Sequence, residues 1–293
     1  MATRPDTRCL DLAGQRFGRL DVLEFVRLER WSRTIWKCRC DCGVVEERPA
    51  RAIRKCLECR ACSQVRSQSD AIKHDAFAQQ STASDFWAGV IASDGCVRGR
   101  SVVLGFKATD ESFLAEWKQW IGSEHKIDRR TKVVGKRSYK SVYLTITSRQ
   151  IAADLASRYN ITPRKSLTLE PPTNCTMAFL AGLWCGDGTI GRYGSERRGR
   201  LVYNWSIGWC GTPEMMAAVA GAFSDVSNAT PSSHKGKPHF SSIKYHGPGV
   251  TADVAARLIG CMPFRLDRKQ RRLDAMMSEY AQASMTGRDH CDI

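Results

Sequence analysis

Hydrophobic residues recur along this chain at two periods, and the period changes at regular places. Val102, Leu104 and Phe106 alternate with Val103, Gly105 and Lys107, and Val142, Leu144 and Ile146 alternate with Tyr143, Thr145 and Thr147. Alternation at period two collects apolar side chains on one face of an extended segment, so both stretches are predicted as strands with two distinct faces. Between them Phe113, Leu114, Trp117 and Ile121 recur at helical spacing, and Ile151, Leu155 and Tyr159 do so after the second strand. A later stretch follows the same order. Leu201, Tyr203, Trp205, Ile207 and Trp209 share one face of a predicted strand, and Thr212-Pro213-Glu214 opens a helix carrying Met215, Val219 and Phe223. Thr212 suits the N-cap and Pro213 the first helical turn. Phe240–Tyr245 reads as a further strand and Val250–Leu258 as a further helix.

The two stretches are copies. Asp85-Phe86-Trp87-Ala88-Gly89-Val90-Ile91-Ala92-Ser93-Asp94-Gly95-Cys96 matches Ala178-Phe179-Leu180-Ala181-Gly182-Leu183-Trp184-Cys185-Gly186-Asp187-Gly188-Thr189, with the Asp-Gly pairs 93 residues apart. A repeat of this length implies one structural unit built twice. The fold class is α+β, with the order αββαββα in each copy. The predicted organisation is a cysteine-rich module over 1–66, a tether or short helix over 67–82, repeats over 83–171 and 172–280, and a tail over 281–293.

Charge narrows the partner. The 293 residues hold 45 Lys plus Arg against 30 Asp plus Glu, a formal +15. A field of this sign concentrates polyanions and repels basic proteins, which puts nucleic acid first. A chain of this length with 42% hydrophobic residues buries cores of its own, so disorder is excluded. No apolar run reaches the ~18–20 residues of a membrane helix, and MATRPDTRCLDL lacks a signal-peptide core, so a soluble, intracellular protein with no membrane partner is expected.

Of thirteen cysteines, Cys38, Cys40, Cys42, Cys56, Cys59 and Cys62 fall within one short basic stretch, WKCRCDCGVVEERPARAIRKCLECRACSQ. Two close-set thiol groups joined by a short loop can present four sulfurs tetrahedrally to a structural Zn²⁺. Cys40 and Cys42 with Cys59 and Cys62 are favoured, because Gly43 permits a tight turn after the first pair and the second pair has a two-residue gap. Cys38 and Cys56 are reserves. Cys9, Cys96, Cys175, Cys185, Cys210, Cys261 and Cys291 are scattered and read as small hydrophobes. Residues 14–63, through Gly-x-Arg-Phe-Gly-Arg-Leu-x-Val-Leu and Trp-x-Cys-x-Cys-Asp-Cys-Gly, resemble the small cysteine-rich modules at the front of phage and mobile-intron endonucleases. They depart from them in the two residues between Cys59 and Cys62.

Each repeat opens with an apolar helix holding adjacent small residues, Ala88-Gly89 and Ala181-Gly182, and closing on an acid and a glycine. Small residues let two helices pack backbone to backbone, which brings Asp94 and Asp187 side by side. Two converging carboxylates repel unless a cation joins them, and oxygen ligands suit Mg²⁺ or a similar ion. FWAGVIASDG and FLAGLWCGDG resemble the two motif copies of LAGLIDADG homing endonucleases, over roughly residues 84–274. Ile161-Thr162-Pro163-Arg164-Lys165-Ser166-Leu167 and Arg265-Leu266-Asp267-Arg268-Lys269 reinforce the likeness. Two motifs in one chain resemble the monomeric members.

The resemblance implies a saddle of two antiparallel sheets on double-stranded DNA, with the motif helices at its axis. It implies divalent metal at Asp94 and Asp187, additional ligands from the carbonyls of Ser93 and Gly186, and basic catalytic residues at Lys165 and Lys269. The first acid of the motif is replaced by Ala92 and Cys185. DNA contacts are expected from Arg98, Arg100, Arg129, Arg130, Lys136, Arg137, Arg192, Arg197, Arg198, Arg200, Lys235 and Lys237. The function implied is site-specific phosphodiester hydrolysis at a long target by a protein of a phage or mobile element. The alternative is a non-cleaving DNA-binding regulator or a maturase bound to intron RNA on the same fold.

Overall fold

The computed structural model describes residues 11–29, 33–55, 57–60, 62, 71–135, 137–197 and 199–285. The chain forms two compact units, Met1–Asp70 and Ala71–Ile293. No helix among the described residues is long and apolar enough to cross a membrane.

In the first unit four antiparallel strands, β1 (Arg16–Phe17), β2 (Leu20–Glu29), β3 (Arg33–Cys40) and β4 (Val45–Pro49), lie in sequence order and lead into a short helix, α1 (Ala50–Ile53). One face of the sheet is apolar. Leu12, Leu20, Val22, Trp36, Cys38, Cys40, Ile53 and Cys59 make its core, and Phe25 meets Trp36 edge to face at 5.6 Å.

The second unit holds the repeat. In its first copy come α2 (Thr82–Asp94), β5 (Gly95–Arg98), β6 (Ser101–Lys107), α3 (Glu111–Trp120), β7 (Asp128–Val134), β8 (Arg137–Thr147) and α4 (Arg149–Tyr159), with a short α5 (Lys165–Thr168) behind them. In the second come α6 (Met177–Asp187), β9 (Thr189–Arg197), β10 (Arg200–Gly211), α7 (Pro213–Ala222), β11 (Ser232–His234), β12 (Lys237–His246), α8 (Pro248–Cys261) and a long α9 (Asp267–Met285). The sheet orders β5-β6-β8-β7 and β9-β10-β12-β11 are the same order twice, antiparallel throughout. The αββαββα expectation holds, and Thr212 is the N-cap of α7, accepting from Met215 N.

α2 and α6 are apolar all round, as a helix buried on every side must be. They cross in backbone contact. A Cβ added to Gly89 would lie 2.0 Å from Phe179 O, and one added to Gly182 would lie 1.9 Å from Phe86 O. At their N-terminal ends the buried Asp85 accepts from Tyr159 Oη and from Thr176 Oγ1, both at 2.7 Å, and Thr176 also caps α6. This carboxylate fixes the start of one motif helix to the start of the other.

Three expectations change. The tether over 67–82 does not extend through its second half: Ile72 and Phe77 are buried in the core, Phe77 against Trp117 and Tyr159, and Ser81 and Ser84 form a capping box for α2. Two apolar residues in a polar stretch carry no period to announce this. The tail from 281 begins inside α9, where Ala283 is buried; residues 286–293 lie outside the described residues. Tyr203 shares the face of Trp205, Ile207 and Trp209 but is exposed, with the Arg192 guanidinium over its ring at 4.7 Å.

Candidate functional site

Two helix ends make the centre. α2 and α6 terminate at Asp94 and Asp187, where Gly95 and Gly188 turn so tightly that a Cβ would sit 2.6 Å from Ile91 O and 2.4 Å from Trp184 O. A Cβ on Gly186 would lie 1.9 Å from Ser93 Oγ and 3.0 Å from Asp94 Oδ2, so the Asp94 carboxylate stands over the end of the other helix. Both aspartates are exposed to solvent in otherwise dense surroundings. Burial of that setting and then the charge of Asp187 push the Asp94 pKa up to about 6, and burial also raises Asp187.

Lys165 and Lys269 enter the same site from below. Lys165 Nζ donates to Ala92 O at 2.5 Å and Ser93 O at 2.8 Å; Lys269 Nζ donates to Trp184 O and, at 2.9 Å, to Gly186 O. Each lysine thus satisfies the orphan carbonyls at the C-terminus of its own repeat's helix, where the helix dipole favours a cation. Both are buried, which lowers both pKa values, that of Lys269 to about 8. Their strongest carboxylate neighbours are crossed: Lys165 acts first on Asp187, and among the cations acting on Asp94 Lys269 comes first. The carbonyls of Ser93 and Gly186 already accept ammonium protons.

Two cavities flank the acids. One of about 780 Å³ is lined by Asp94, Tyr143, Gly186 and Arg268 among others; one of about 140 Å³ is lined by Ser93, Lys165, Asp187 and Cys210. Cys210 donates to Asp187 O at 3.3 Å and is only partly buried, whereas Cys185 is a fully buried core residue. Arg268, the chain neighbour of Lys269, also lines the site, and its place in the sequence predicted no role for it.

Strand register decides which basic residues face the open side of each sheet. Val102, Leu104, Phe106, Val142, Leu144 and Ile146 cover the helix side of the first sheet, so their alternates face outward. Arg98 opposite Ser101, Arg130 opposite Ser141 and Arg137 opposite Val134 lie on the open face, with Arg130 over the Tyr143 ring at 4.6 Å. Lys107 and Lys132 join them. Arg100 follows in the β5–β6 turn and is exposed. Arg129 pairs with Val142 and therefore lies on the helix side, where it is ion-paired to Glu111. Arg192 likewise opposes Trp205 and binds Glu279 at 3.0 Å. These two do not stand free on the open face.

On the second sheet the open face carries Tyr193, Asn204, Lys244 and His246, with Tyr193 Oη 3.1 Å from His246 Nδ1. Period two applied to the polar positions finds Lys107 and Lys244. Lys235 and Lys237 are exposed at the β11–β12 hairpin, Lys237 with Nζ 5.8 Å from the Phe240 ring centre. Lys136 and Arg198 lie outside the described residues, and Arg197 and Arg200 are described in their backbone only.

In the first unit the sulfurs of Cys40, Cys42, Cys59 and Cys62 all lie within 4.8 Å of one another. Cys42–Cys59 is 3.4 Å and Cys40–Cys62 is 4.0 Å, spanning the ~3.8 Å edge that a tetrahedron of Zn–S bonds requires. Gly43, at φ +85°, makes the turn after the first pair, and Cys62 N donates to Cys59 Sγ at 3.3 Å. The thiols of Cys42 and Cys59 push Cys62 up to about 12, so a full set of thiolates needs a cation. Cys38 stands apart in the apolar core, donating to Trp36 O, and is not a member of the quartet. Cys56 lies outside the described residues.

No family profile and no curated protein matches this chain. Solved structures do share its fold. One is the LAGLIDADG homing endonuclease I-GzeII in complex with its DNA target, at 9% identity and TM-score 0.50, covering 71% of this chain and 92% of that one. Another is the I-LtrWI LAGLIDADG homing endonuclease bound to target DNA, at 8% identity and TM-score 0.52, covering 70% and 91%. The architecture of this chain is therefore that of LAGLIDADG endonucleases: α+β, two antiparallel sheets, and paired motif helices.

Proposed function

We propose that the protein is a site-specific DNA endonuclease that acts as a monomer on double-stranded DNA. The observation that carries this reading is the convergence of Asp94 and Asp187 at the ends of two helices that cross glycine on backbone, beside a sheet whose open face carries Arg98, Lys107, Arg130, Lys132 and Arg137. The oxygen donors and their mutual repulsion fit a hard divalent cation such as Mg²⁺, held by the two carboxylates. Such an ion, when bound, draws charge from a phosphate oxygen and lowers the pKa of water. Hydrolysis joins a water oxygen to phosphorus as the bond to one bridging oxygen breaks and that oxygen takes up a proton. Lys165 and Lys269 keep positive charge under the carboxylates and hold the helix ends that present them.

The first unit is a zinc module on the Cys40, Cys42, Cys59 and Cys62 thiolates, adding phosphate contacts from its basic surface. The protein belongs to a phage or mobile element, so its target is the junction formed by joining the DNA on either side of its insertion. The test is a supercoiled plasmid carrying that junction, incubated with the purified protein and Mg²⁺. Cutting is expected from the wild type, with a loss of about 10³-fold or more in Asp94→Ala and Asp187→Ala, since each removes a metal ligand. Binding to intron RNA that survives both substitutions, with no DNA cut, would replace this reading with that of a maturase.

A further inference from the structure

The two halves of the site follow one plan and part at a single place. A basic pair follows each repeat's last helix, Arg164-Lys165 in one and Arg268-Lys269 in the other. The lysines are equivalent: each is buried and each donates to the end of its own motif helix. The arginines are not. Arg268 Nε donates to Asp110 Oδ2 at 2.9 Å, joining α9 to the first repeat across 158 positions of sequence. The Asp110 side chain is 4% exposed and the Arg268 side chain 46% exposed. A buried carboxylate therefore anchors one edge of the guanidinium while the rest lines the larger cavity beside Asp94.

No group among the described residues takes the two Nη nitrogens of Arg268. A guanidinium fixed at Nε still presents N–H donors in a rigid fork that matches two oxygens of one phosphate. Its charge also acts on Asp94, behind those of Asp187 and Lys269.

In the other half this device is missing. The N-cap equivalent to Asp110 is Thr212, whose hydroxyl donates to Leu169 O at 2.5 Å instead of anchoring an arginine. Arg164 is exposed, adopts the left-handed conformation at φ +66°, and has no ion-pair partner among the described residues. The small cavity beside Asp187 is lined by Lys165 and not by Arg164.

We propose that Arg268, aimed by Asp110, binds a backbone phosphate in the Asp94 half alone, so that the two strands of a bound duplex are cut by unequal sites. Arg268 is the phosphate-binding residue and Asp110 the positioning residue. The proposal rests on the endonuclease reading. It turns a pseudo-symmetric pair of sites into a strong one and a bare one, and strand-selective cutting is its signature.

The experiment uses the full chain with Mg²⁺ and a duplex of the joined flanking sequence carrying a different fluorophore at each 5′ end, so that each strand's cleavage rate is read separately. Arg268→Gln keeps a hydrogen-bond donor for Asp110 but not its counter-charge, and the double variant Arg268→Ala with Asp110→Ala removes both groups and so leaves no buried carboxylate unpaired. Both are expected to slow one strand by about 10- to 100-fold, the size of a lost charged hydrogen bond, while the other strand stays within about threefold. On a supercoiled plasmid nicked circles then accumulate. Asp110→Asn should slow the same strand by a smaller factor, and Arg164→Ala should leave both strands unchanged.

Equal slowing of both strands, slowing of neither, or a matching strand-selective loss in Arg164→Ala overturns the proposal. A wild-type protein that leaves both labelled strands intact overturns the endonuclease reading itself, and the proposal with it. That outcome is distinct from a wild type that cuts and variants that fail to discriminate.

Discussion

The two units stabilise themselves by different means. The first has an apolar cluster of eight buried side chains among the described residues, and two of these, Cys40 and Cys59, belong to the cysteine quartet. The second has one continuous core running from Ile72 to Met276, rich in aromatic rings around Trp87 and Trp117, and closed by two glycine-bearing helices in backbone contact. A unit of 70 residues sits near the lower limit at which apolar burial alone holds a fold, and one more than three times that length is well past it. The same comparison separates chemistry from scaffold. In the first unit the proposed metal site is the scaffold, whereas in the second the acids stand on a fold that does not need them and is strained by their charge.

The largest way to break this contrast is to remove the proposed zinc. Chelation at neutral pH, or Cys40→Ser with Cys59→Ser, should cost the first unit about 10 kcal/mol of metal-linked folding energy and abolish protection of its amides. Hydrogen exchange should show the second unit's protection unchanged. A first unit that stays protected in chelator would end the idea that metal replaces a core there.

A smaller effect tests the second unit. Gly89→Val and Gly182→Val force a side chain into the Phe179 and Phe86 carbonyls and should lower stability by about 3 kcal/mol or more, read as a fall in the denaturant midpoint. Gly221, in a helix with open space where a Cβ would go, is the contrasting site. Gly221→Ala should raise stability by up to about 1 kcal/mol. Equal behaviour of the three positions would mean that the helix crossing is not close-packed.

The smallest effect has the opposite sign and belongs to the site. The Asp94 pKa of about 6 lies above the ~3.9 of an unfolded aspartate, so folding favours its protonated form. The stability this group adds is present in acid and is lost as pH rises through about 6. Between pH 5 and 7.5, without metal, the second unit should lose about 1 kcal/mol, a figure held small by solvent around the exposed carboxylate. Asp94→Asn should remove that slope and be the more stable protein at pH 7.5, and Mg²⁺ should flatten the slope in the wild type. An unaltered slope in Asp94→Asn would show that Asp94 does not carry it.

Much of the scaffold is legible in the chain. The strands at 101–107, 137–147 and 237–246 announce themselves by alternation, since each has one face against helices and one against water. α9 does not, because Lys269 occupies one of its buried positions and its first turns are crowded with charge. The acids were legible through the repeat, and the cysteine quartet through spacing and Gly43. The partners of Lys165 and Lys269 were not, because a backbone carbonyl leaves no mark in a sequence. Arg129 and Arg192 read as free basic residues until register placed them beside Glu111 and Glu279.

What the sequence alone determined is what depends on near neighbours along the chain: periods of two and 3.6, N-caps, the glycine after a cysteine pair, and the fact of a duplicated unit. These follow from local sterics and from which side chains water rejects. Only the tertiary structure decided what depends on approach through space. It chose the face of Arg129, brought Gly89 against Phe179, and put Asp110 beneath Arg268 and not Thr212 beneath Arg164. Charge and hydrogen bonding act over a few ångströms, and the residues that share such a distance here are separated by 18 to 158 positions in the chain.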